Sequence, residues 1–334
     1  MSSDGPSFIS LFSGIGGSSL GYSQSGFREL LAIDSNAHAR EVFALNFPTV
    51  PILDLDLSIP KISTQVMDAA NITPGRLDLL DGSPPCQGFS SVGRRNTADS
   101  RNDLIRAYQD LILEIAPKVA MMENVPGLVT GQMRGYAKAF LDGLSHGGYR
   151  VKMKILNAMH YGVAQSRKRV IVIAVRDDLQ KDPIFPEHET PRPITVRQAF
   201  EGVRAEPTPP LGNMIQPVAK IIVPGTRLAD LRATRLPPRN RGESYYGVRR
   251  LHWDRPSYTI IKTFSTGAAG MLHPDGDRWC SIPELMRLHG FPDDFQMVGT
   301  YPQQFARIGN SVPPPLAKAI GKRLYREYFE TGLS

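Results

Sequence analysis

The chain has 334 residues, of which 41% are hydrophobic and 21% charged, and no run reaches the roughly 18 apolar residues that cross a bilayer. Its two cysteines, Cys86 and Cys280, are too few for a disulfide framework, and neither lies in a CxxC or HxxxH pair that would indicate zinc. The N-terminus lacks the basic start and apolar stretch of a signal peptide, so we expect a cytoplasmic protein with no metal and no membrane partner.

Up to Val175 the sequence alternates short apolar runs with segments of helical spacing, which is typical of a parallel sheet flanked by helices. Strands are predicted at SFISLF, ELLAID, LDLLDG, KVAMMEN and RVIVIAV, in chain order. Helices are predicted at SSLGYSQSG, AHAREVFALNF and LIRAYQDLILEIA. We therefore predict an α/β fold with a Rossmann-like, doubly wound, mostly parallel sheet.

The composition of the sequence changes after Val175, where proline and arginine become frequent and long segments with helical or strand periodicity become rare. We predict a smaller domain of short strands and loops over residues 185–260. Helical patterning returns in SIPELMRLHGF and PPLAKAIGKRLYREYF, which predicts that 261–334 rejoin 1–184 in one larger domain.

The net charge is +7, and the excess is concentrated between Arg227 and Arg255, which includes eight arginines and three acids. Arginines interleaved with Tyr245, Tyr246 and Trp253 suit contacts to phosphates and base edges of nucleic acid. A solvated basic loop is the alternative interpretation.

Two turns in the first half suggest a ligand site. The cluster SLFSGIGGSSLGY follows the first strand and opens a helix, so a ligand could approach its backbone closely. A plain tight turn is the alternative, because the third glycine of the dinucleotide fingerprint is missing. Asp34 ends the second strand, where an acid can accept hydrogen bonds from a ribose or cap the next helix.

Polar groups follow other predicted strands. Cys86 lies in GSPPCQGFS, where two prolines stiffen the backbone, a setting unlike that of a core cysteine. Glu123 ends the strand of MMENVPG, as a helix cap or an active-site group. Arg167 and Arg169 alternate in QSRKR, so both side chains point to one face of a strand. The turn GNS precedes a helix that begins with proline.

The ordered series FSGIGG, GSPPCQGFS, ENV, QSRKR and GNSVPPPLA resembles the motif set of the C5-cytosine DNA methyltransferases, which have a class I methyltransferase fold. The resemblance runs from residue 8 to 326. It is interrupted over 185–260, where that family has its target-recognition segment. It implies methylation of cytosine C5 in a specific sequence of double-stranded DNA, with S-adenosyl-L-methionine as cofactor and S-adenosyl-L-homocysteine as product.

The resemblance also implies residue roles. Cys86 would add to C6 of a cytosine flipped out of the helix, Glu123 would hydrogen-bond to and protonate N3, and Arg169 would hold O2. Arg167 would support the base and the nearby loop more loosely. Further substrate contacts are implied for Pro85, Gln87, Ser90, Asn124, Val125, Arg239, Arg241, Arg249 and Arg250.

The cofactor would be bound by Phe12, Ser13, Gly14, Gly16, Gly17, Asp34, Leu104, Asn310 and Ser311. An acid at Asp54 or Asp56 would reach the adenine amino group, and the spacing favours Asp56. The chain departs from the family pattern at Ser35, where an apolar residue is usual, and at Pro283 in SIPEL, where an arginine is usual. Cys280 matches no functional position, so we expect it to pack in a core.

The resemblance favours a monomeric bacterial enzyme associated with the nucleoid and belonging to a restriction-modification system, with a cognate restriction endonuclease that acts separately. Two alternatives remain. A branch of the family methylates tRNA, although it largely lacks an arginine-rich insert, and a catalytically inactive DNA-binding homologue would retain the fold alone.

Overall fold

The computed structural model describes residues 5–85, 103–131, 133–227, 247–267 and 269–330. They divide into two compact units, each built from more than one stretch of chain. The first unit contains residues up to 157, 168–187 and the chain from 316 onward, and the second contains 158–167 and 188–315. These units group residues by packing, so the predicted boundaries at 185–260, which concern DNA recognition, stay a prediction.

A seven-stranded sheet forms the centre of the first unit. Its strands are β1 (Ser7–Leu11), β2 (Arg28–Ile33), β3 (Ile52–Leu53), β4 (Leu79–Gly82), β5 (Val119–Asn124), β6 (Tyr149–Asn157) and β7 (Lys168–Arg176). They lie in the order β3-β2-β1-β4-β5-β7-β6, and all pairs are parallel except those that β7 makes with β5 and β6. The chain winds outward from β1 in one direction and from β4 in the other, which confirms the predicted doubly wound, mostly parallel fold.

The helices of this unit are α1 (Gly17–Ser23), α2 (Ala37–Asn46), α3 (Ile62–Ala70), α4 (Asp103–Ile115) and α5 (Met133–His146). One continuous core joins the sheet to α3, α4 and α5, and it includes Leu80 of β4, Ile112 of α4 and Phe140 of α5, all nearly inaccessible. The buried strands lack polar alternation because both of their faces are covered.

The second unit contains α6 (Val196–Phe200), α7 (Gln216–Ala219), α8 (Ile282–His289), α9 (Tyr301–Asn310) and a two-stranded parallel sheet of β8 (Gly247–Arg250) and β9 (Ala269–Leu272). Val248, Leu272 and Trp279 form its core with the helix α7. Helix α10 (Pro314–Leu324) begins in this unit and continues in the first.

One predicted departure from the family pattern, Pro283, is accommodated locally. Pro283 stands in the first turn of α8, where a proline is tolerated, and Glu284 accepts the backbone N–H of Ser281 at 2.7 Å. Glu284 is buried and pairs with Arg278 at 2.6 Å. Cys280 is fully buried, as expected of a packing residue, and burial raises the pKa of its thiol. In the described part of the chain no helix has both the length and the apolar run that crossing a membrane requires.

Candidate active site

The carboxyl ends of β1, β4 and β5 meet at one edge of the sheet, where β1 and β4 are neighbours and the direction of winding changes. Open α/β sheets bind their ligands at this kind of edge. The turn after β1 contains the predicted cofactor residues, and Ser83, Pro84 and Pro85 follow β4. The predicted Cys86, Gln87 and Ser90 lie outside the described residues.

The turn between β1 and α1 has an unusual backbone. Phe12 and Gly14 have φ angles of 57° and 59°, and Gly16 has a φ of 90°. A left-handed conformation is costly for a non-glycine residue such as Phe12, and such positions concentrate at ligand sites. A methyl group at Gly14 would meet nothing within 4 Å, whereas one at Gly16 would lie 2.3 Å from the ring of Phe47. Gly14 therefore borders open space, and Gly16 is required by close packing.

Asp34 connects this turn to the end of β2. One carboxylate oxygen accepts the backbone N–H of Gly14 at 2.8 Å, and the other accepts that of Asn36 at the same distance. Asn36, and not Asp34, caps α2 with its side chain. The helix-cap alternative for Asp34 is therefore wrong, and its carboxylate retains lone pairs for a hydroxyl ligand.

The two acids proposed for the adenine side differ in their partners. Asp54 forms an ion pair with Arg40 at 2.8 Å. Asp56 accepts the hydroxyl of Ser58 at 2.6 Å and its N–H at 2.9 Å through one oxygen, and these hydrogen bonds lower the pKa of Asp56. Its other oxygen accepts no hydrogen bond from the described residues. Asp56 is thus an ionised acceptor, and its adenine contact stays a prediction, as does that of the half-buried Leu104.

Glu123 and Arg169 form a buried ion pair at the end of β5. Their side chains approach to 2.6 Å between Oε1 and Nε, and they are 8% and 7% exposed. Glu123 lies opposite Ile171 in the antiparallel register of β5 and β7, two residues from Arg169, so both side chains use one face. Burial lowers the pKa of Arg169, and the charge of Glu123 opposes this.

Asn124 and Val125 follow Glu123. The side-chain amide of Asn124 donates to the carbonyl oxygen of Pro84 at 3.1 Å, and its oxygen accepts the N–H of Val125 at 2.9 Å. The end of β5 thereby fixes the backbone two residues before Cys86. Val125 is 38% exposed, and its predicted contact with the substrate stays a prediction.

In the second unit, Arg167 is 1% exposed and donates to three carbonyl oxygens. They belong to Ile260 at 3.0 Å, Gly309 at 2.8 Å and Ser311 at 3.0 Å. The catalytic role predicted for Arg167 stays a prediction, and its geometry favours support of the last turn of α9 and of Ser311, which follows it. Within that turn Asn310 is exposed and Ser311 is buried.

The sequence did not indicate that Gln165 and His289 also support Ile260 and Ser311. Gln165 donates to Nδ1 of His289 at 3.1 Å and accepts the N–H of Ile260 at 3.0 Å, while Nε2 of His289 contacts the carbonyl of Ser311 at 3.0 Å. These partners suit a neutral imidazole protonated on Nε2. The signal was present in QSRKR, because alternation puts Gln165 on the face that Arg167 uses.

The arginines predicted to contact DNA have different surroundings. Arg239 and Arg241 lie outside the described residues. Arg249 stacks over the ring of Tyr258 at 5.0 Å. Arg250 is 4% exposed and donates to the carbonyls of His273 at 2.8 Å and Gly276 at 2.9 Å and to Asp277 at 2.7 Å, so its geometry favours a structural role.

Among the described residues, no three or more His, Cys, Asp or Glu side chains are grouped to hold a metal ion. The fold defines a doubly wound α/β protein, and the edge of the sheet where such folds bind ligands has a buried carboxylate–guanidinium pair beside it.

Comparison with known proteins specifies the class further. Residues 6–326 match the model of the C-5 cytosine-specific DNA methylases, and the chain belongs to this family. The type II methyltransferase M.Sau96I of Staphylococcus aureus is 32% identical over 326 residues, which cover 94% of this chain and 74% of M.Sau96I. The protein is therefore a DNA cytosine-5 methyltransferase.

Two solved structures agree with the fold. One is described as a DNA modification methyltransferase encoded within an E. coli prophage, with a TM-score of 0.73, 26% identity and coverage of 96% of this chain and 99% of that one. DNMT2 of Spodoptera frugiperda gives a TM-score of 0.69 at 19% identity, with coverage of 96% and 99%, and shows the fold alone.

Proposed function

We propose that Cys86, Glu123 and Arg169 carry out the cytosine-5 methylation of a base flipped out of duplex DNA. The observation that carries this proposal is the buried Glu123–Arg169 pair at the sheet edge, one strand from the segment that leads to Cys86. The pair presents a carboxyl group and guanidinium donors that are nearly inaccessible to solvent, which suits N3 and O2 of cytosine.

Each group has a defined step. The thiolate of Cys86 forms a bond to C6, the ring electrons move toward C5, and N3 receives a proton from Glu123. After C5 has gained its methyl group, C5 loses its proton to a water molecule, the electrons of that C–H bond form the C5–C6 double bond as Cys86 leaves C6 as a thiolate, and N3 returns its proton to Glu123. Arg169 holds O2 throughout, and Asn124 positions the backbone before Cys86 through Pro84.

The turn after β1 fits the cofactor that the family implies, S-adenosyl-L-methionine, which supplies the methyl group when bound. The open space beside Gly14 lets a ligand approach the backbone, and Asp34 presents a carboxylate at the end of β2. We assign these residues to the cofactor with Phe12, Ser13, Gly16, Gly17, Asp56, Leu104, Asn310 and Ser311.

We infer that the enzyme acts as a monomer on a specific sequence of double-stranded DNA and that a separate restriction endonuclease cuts the same sequence. The type II name of M.Sau96I supports this proposal. The test is methylation of plasmid DNA by the purified protein, followed by bisulfite sequencing. Uptake of labelled methyl groups by tRNA and not by the plasmid would favour the RNA alternative.

The nucleophile is tested with DNA that contains 5-fluorocytosine, which traps the covalent adduct because fluorine cannot leave as a proton does. We expect an adduct that resists denaturation, and we expect Cys86→Ser to abolish it. Cys280→Ala is the matched control, since the buried Cys280 is the other cysteine of the chain. An adduct that persists in Cys86→Ser and disappears in Cys280→Ala would refute the assignment.

A further inference from the structure

Arg40 of α2 connects the ends of two neighbouring strands at the edge of the sheet proposed to bind the cofactor. Its Nη1 donates to the backbone carbonyl oxygen of Asp34 at 2.9 Å, and its Nη2 lies 2.8 Å from Oδ2 of Asp54. Asp34 follows β2 and Asp54 follows β3, and these parallel strands are paired up to Ile33 and Leu53. One guanidinium therefore bridges the first residue beyond each strand.

The position of Arg40 in α2 is unfavourable for a cation. Arg40 is the fourth residue of the helix, in its first turn, where the helix dipole favours a negative charge. Its side chain is only 21% exposed, so protein replaces much of the water around the guanidinium. The carbonyl of Asp34 and the carboxylate of Asp54 compensate for both effects, which accounts for an arginine at this place.

The bridge acts on a residue whose other polar groups are also held. The backbone N–H of Asp34 donates to the carbonyl of Leu53 at 3.2 Å, and its carboxylate accepts the backbone N–H groups of Gly14 and Asn36, each at 2.8 Å. Of these contacts, the one from Arg40 to the carbonyl is made by a side chain. It can therefore be removed by substitution while the backbone hydrogen bonds remain.

The two acids that follow β3 have different roles in this arrangement. The carboxylate of Asp54 is engaged by Arg40, which neutralises its charge. Asp56 stands between Leu55 and Leu57, which pack against the core of the first unit. Asp54 is thus an anchor for Arg40, and through it the guanidinium holds the segment that leads to Asp56.

We propose that Arg40 is a positioning residue for the nucleoside part of S-adenosyl-L-methionine. It fixes the carboxylate of Asp34 for the ribose hydroxyls, and through Asp54 it holds the segment that presents Asp56 to the adenine. A site that is held in its binding conformation loses less conformational freedom when the ligand binds. The inference assigns Arg40 no contact with the cofactor, and it rests on the proposed assignment of Asp34 to the ribose.

The test is calorimetric titration of the full chain with S-adenosyl-L-homocysteine and with its analogue that lacks both ribose hydroxyls. Arg40→Met removes the guanidinium donors, so we expect the dissociation constant of S-adenosyl-L-homocysteine to rise about tenfold. The analogue cannot use Asp34 fully, so its dissociation constant should rise only about threefold. The preference for the ribose hydroxyls should therefore shrink about threefold, and Arg40→Lys, which keeps the charge, should restore part of it.

Asp54→Asn tests the other end of the bridge. It should weaken binding of S-adenosyl-L-homocysteine about threefold in the wild-type chain and hardly at all in the Arg40→Met background, because one bridge is lost in both. Equal losses in the two backgrounds would show that Asp54 acts without Arg40 and contradict its role as an anchor. Arg150→Met is the matched control, since Arg150 is another arginine of the first unit that pairs with an acid, Asp182 at 3.3 Å, and both dissociation constants should stay unchanged.

Equal losses of affinity for S-adenosyl-L-homocysteine and for the analogue in Arg40→Met would show a merely structural role and overturn the inference. Wild-type affinity for both ligands would overturn it as well. If Arg40→Met does not fold, Arg40→Lys takes its place, because an ammonium group cannot reach both acceptors with the geometry of a guanidinium. A preference for the ribose hydroxyls in Arg40→Lys that equals that of the wild type would then refute the role of Arg40.

Asp34→Ala separates this inference from the proposed function. Weakened binding of S-adenosyl-L-homocysteine in Asp34→Ala, together with an unchanged preference in Arg40→Met, would refute the role of Arg40 alone. Wild-type binding in Asp34→Ala would refute the proposed assignment of this edge of the sheet to the cofactor.

Discussion

Arg167 donates to the carbonyl oxygen of Gly309 at 2.8 Å, although 142 residues of chain separate them. The same guanidinium also reaches the carbonyls of Ile260 and Ser311. The buried arginine thereby holds two backbone segments, at Ile260 and at Gly309–Ser311, against its own segment, and a lysine could not match its planar set of donors. The turn that contains Asn310 is thereby fixed from within the second unit.

Arg167→Ala should lower the free energy of unfolding by about 3–5 kcal/mol, because it leaves three buried carbonyls without a donor. Lys168→Ala is the matched control, since its exposed side chain is adjacent in sequence and should change stability by less than about 0.5 kcal/mol. Urea unfolding followed by circular dichroism measures both. Equal stabilities would contradict a supporting role for Arg167.

Gly14 and Gly16 should respond differently to alanine, although both have positive φ angles. Gly14→Ala adds a methyl group to open space, so it should cost only about 1–2 kcal/mol of stability from backbone strain and weaken binding of S-adenosyl-L-homocysteine at least about tenfold.

Gly16→Ala would press against Phe47 and should lower the melting temperature more than Gly14→Ala does. Calorimetric titration and thermal unfolding distinguish the two effects. Undiminished binding in Gly14→Ala would remove the turn from the cofactor site.

Glu29 should make the fold less stable as the pH rises. Burial raises its pKa from 4.5 to about 8, so the folded state binds its proton more tightly than the unfolded chain does. The resulting stability is fully present below about pH 4.5 and is lost as the pH rises through about 8.

Glu29→Gln should therefore show a smaller decline in melting temperature from acidic to alkaline pH than the wild type does. Glu41→Gln, which alters an exposed acid of α2, should follow the wild type. A wild-type melting temperature that increases through this range would contradict the raised pKa of Glu29.

Arg249 and Arg250 are neighbours on β8 that should have separable roles. Arg250→Ala should destabilise the protein by about 3 kcal/mol or more, because it removes a buried cation that donates to several carbonyls and to Asp277. Arg249→Ala should lower stability less than Arg250→Ala does, by about 1 kcal/mol for the lost stacking on Tyr258, and should weaken DNA binding, with a smaller dependence of the dissociation constant on salt. Equal salt dependence in Arg249→Ala and the wild type would argue against a phosphate contact.

The sequence predicted the strands of the sheet well where they are buried, because long apolar runs bounded by glycine or an acid have few other interpretations. It did not predict β6, an edge strand in which Arg150, Lys152 and Lys154 alternate with apolar residues. Edge strands are less apolar because one side of the strand faces water.

The candidate site was predicted by its motifs, but the partners within it were not. Asn124 with Pro84, and Arg167 with Gly309, are pairs set by strand register and by the path of the chain, which spacing alone does not give.

The first unit also includes the C-terminal segment of the described chain, from Leu316 onward. Phe27, which follows α1, packs edge-to-face against Tyr325 and Phe329 at centroid distances of 5.9 Å and 5.5 Å. During synthesis β1 to β7 therefore leave the ribosome before Tyr325 and Phe329, whose aromatic rings pack on Phe27 at this side of the sheet. The first unit should acquire full resistance to proteolysis only after synthesis passes Phe329, later than the N-terminal position of most of its residues would suggest.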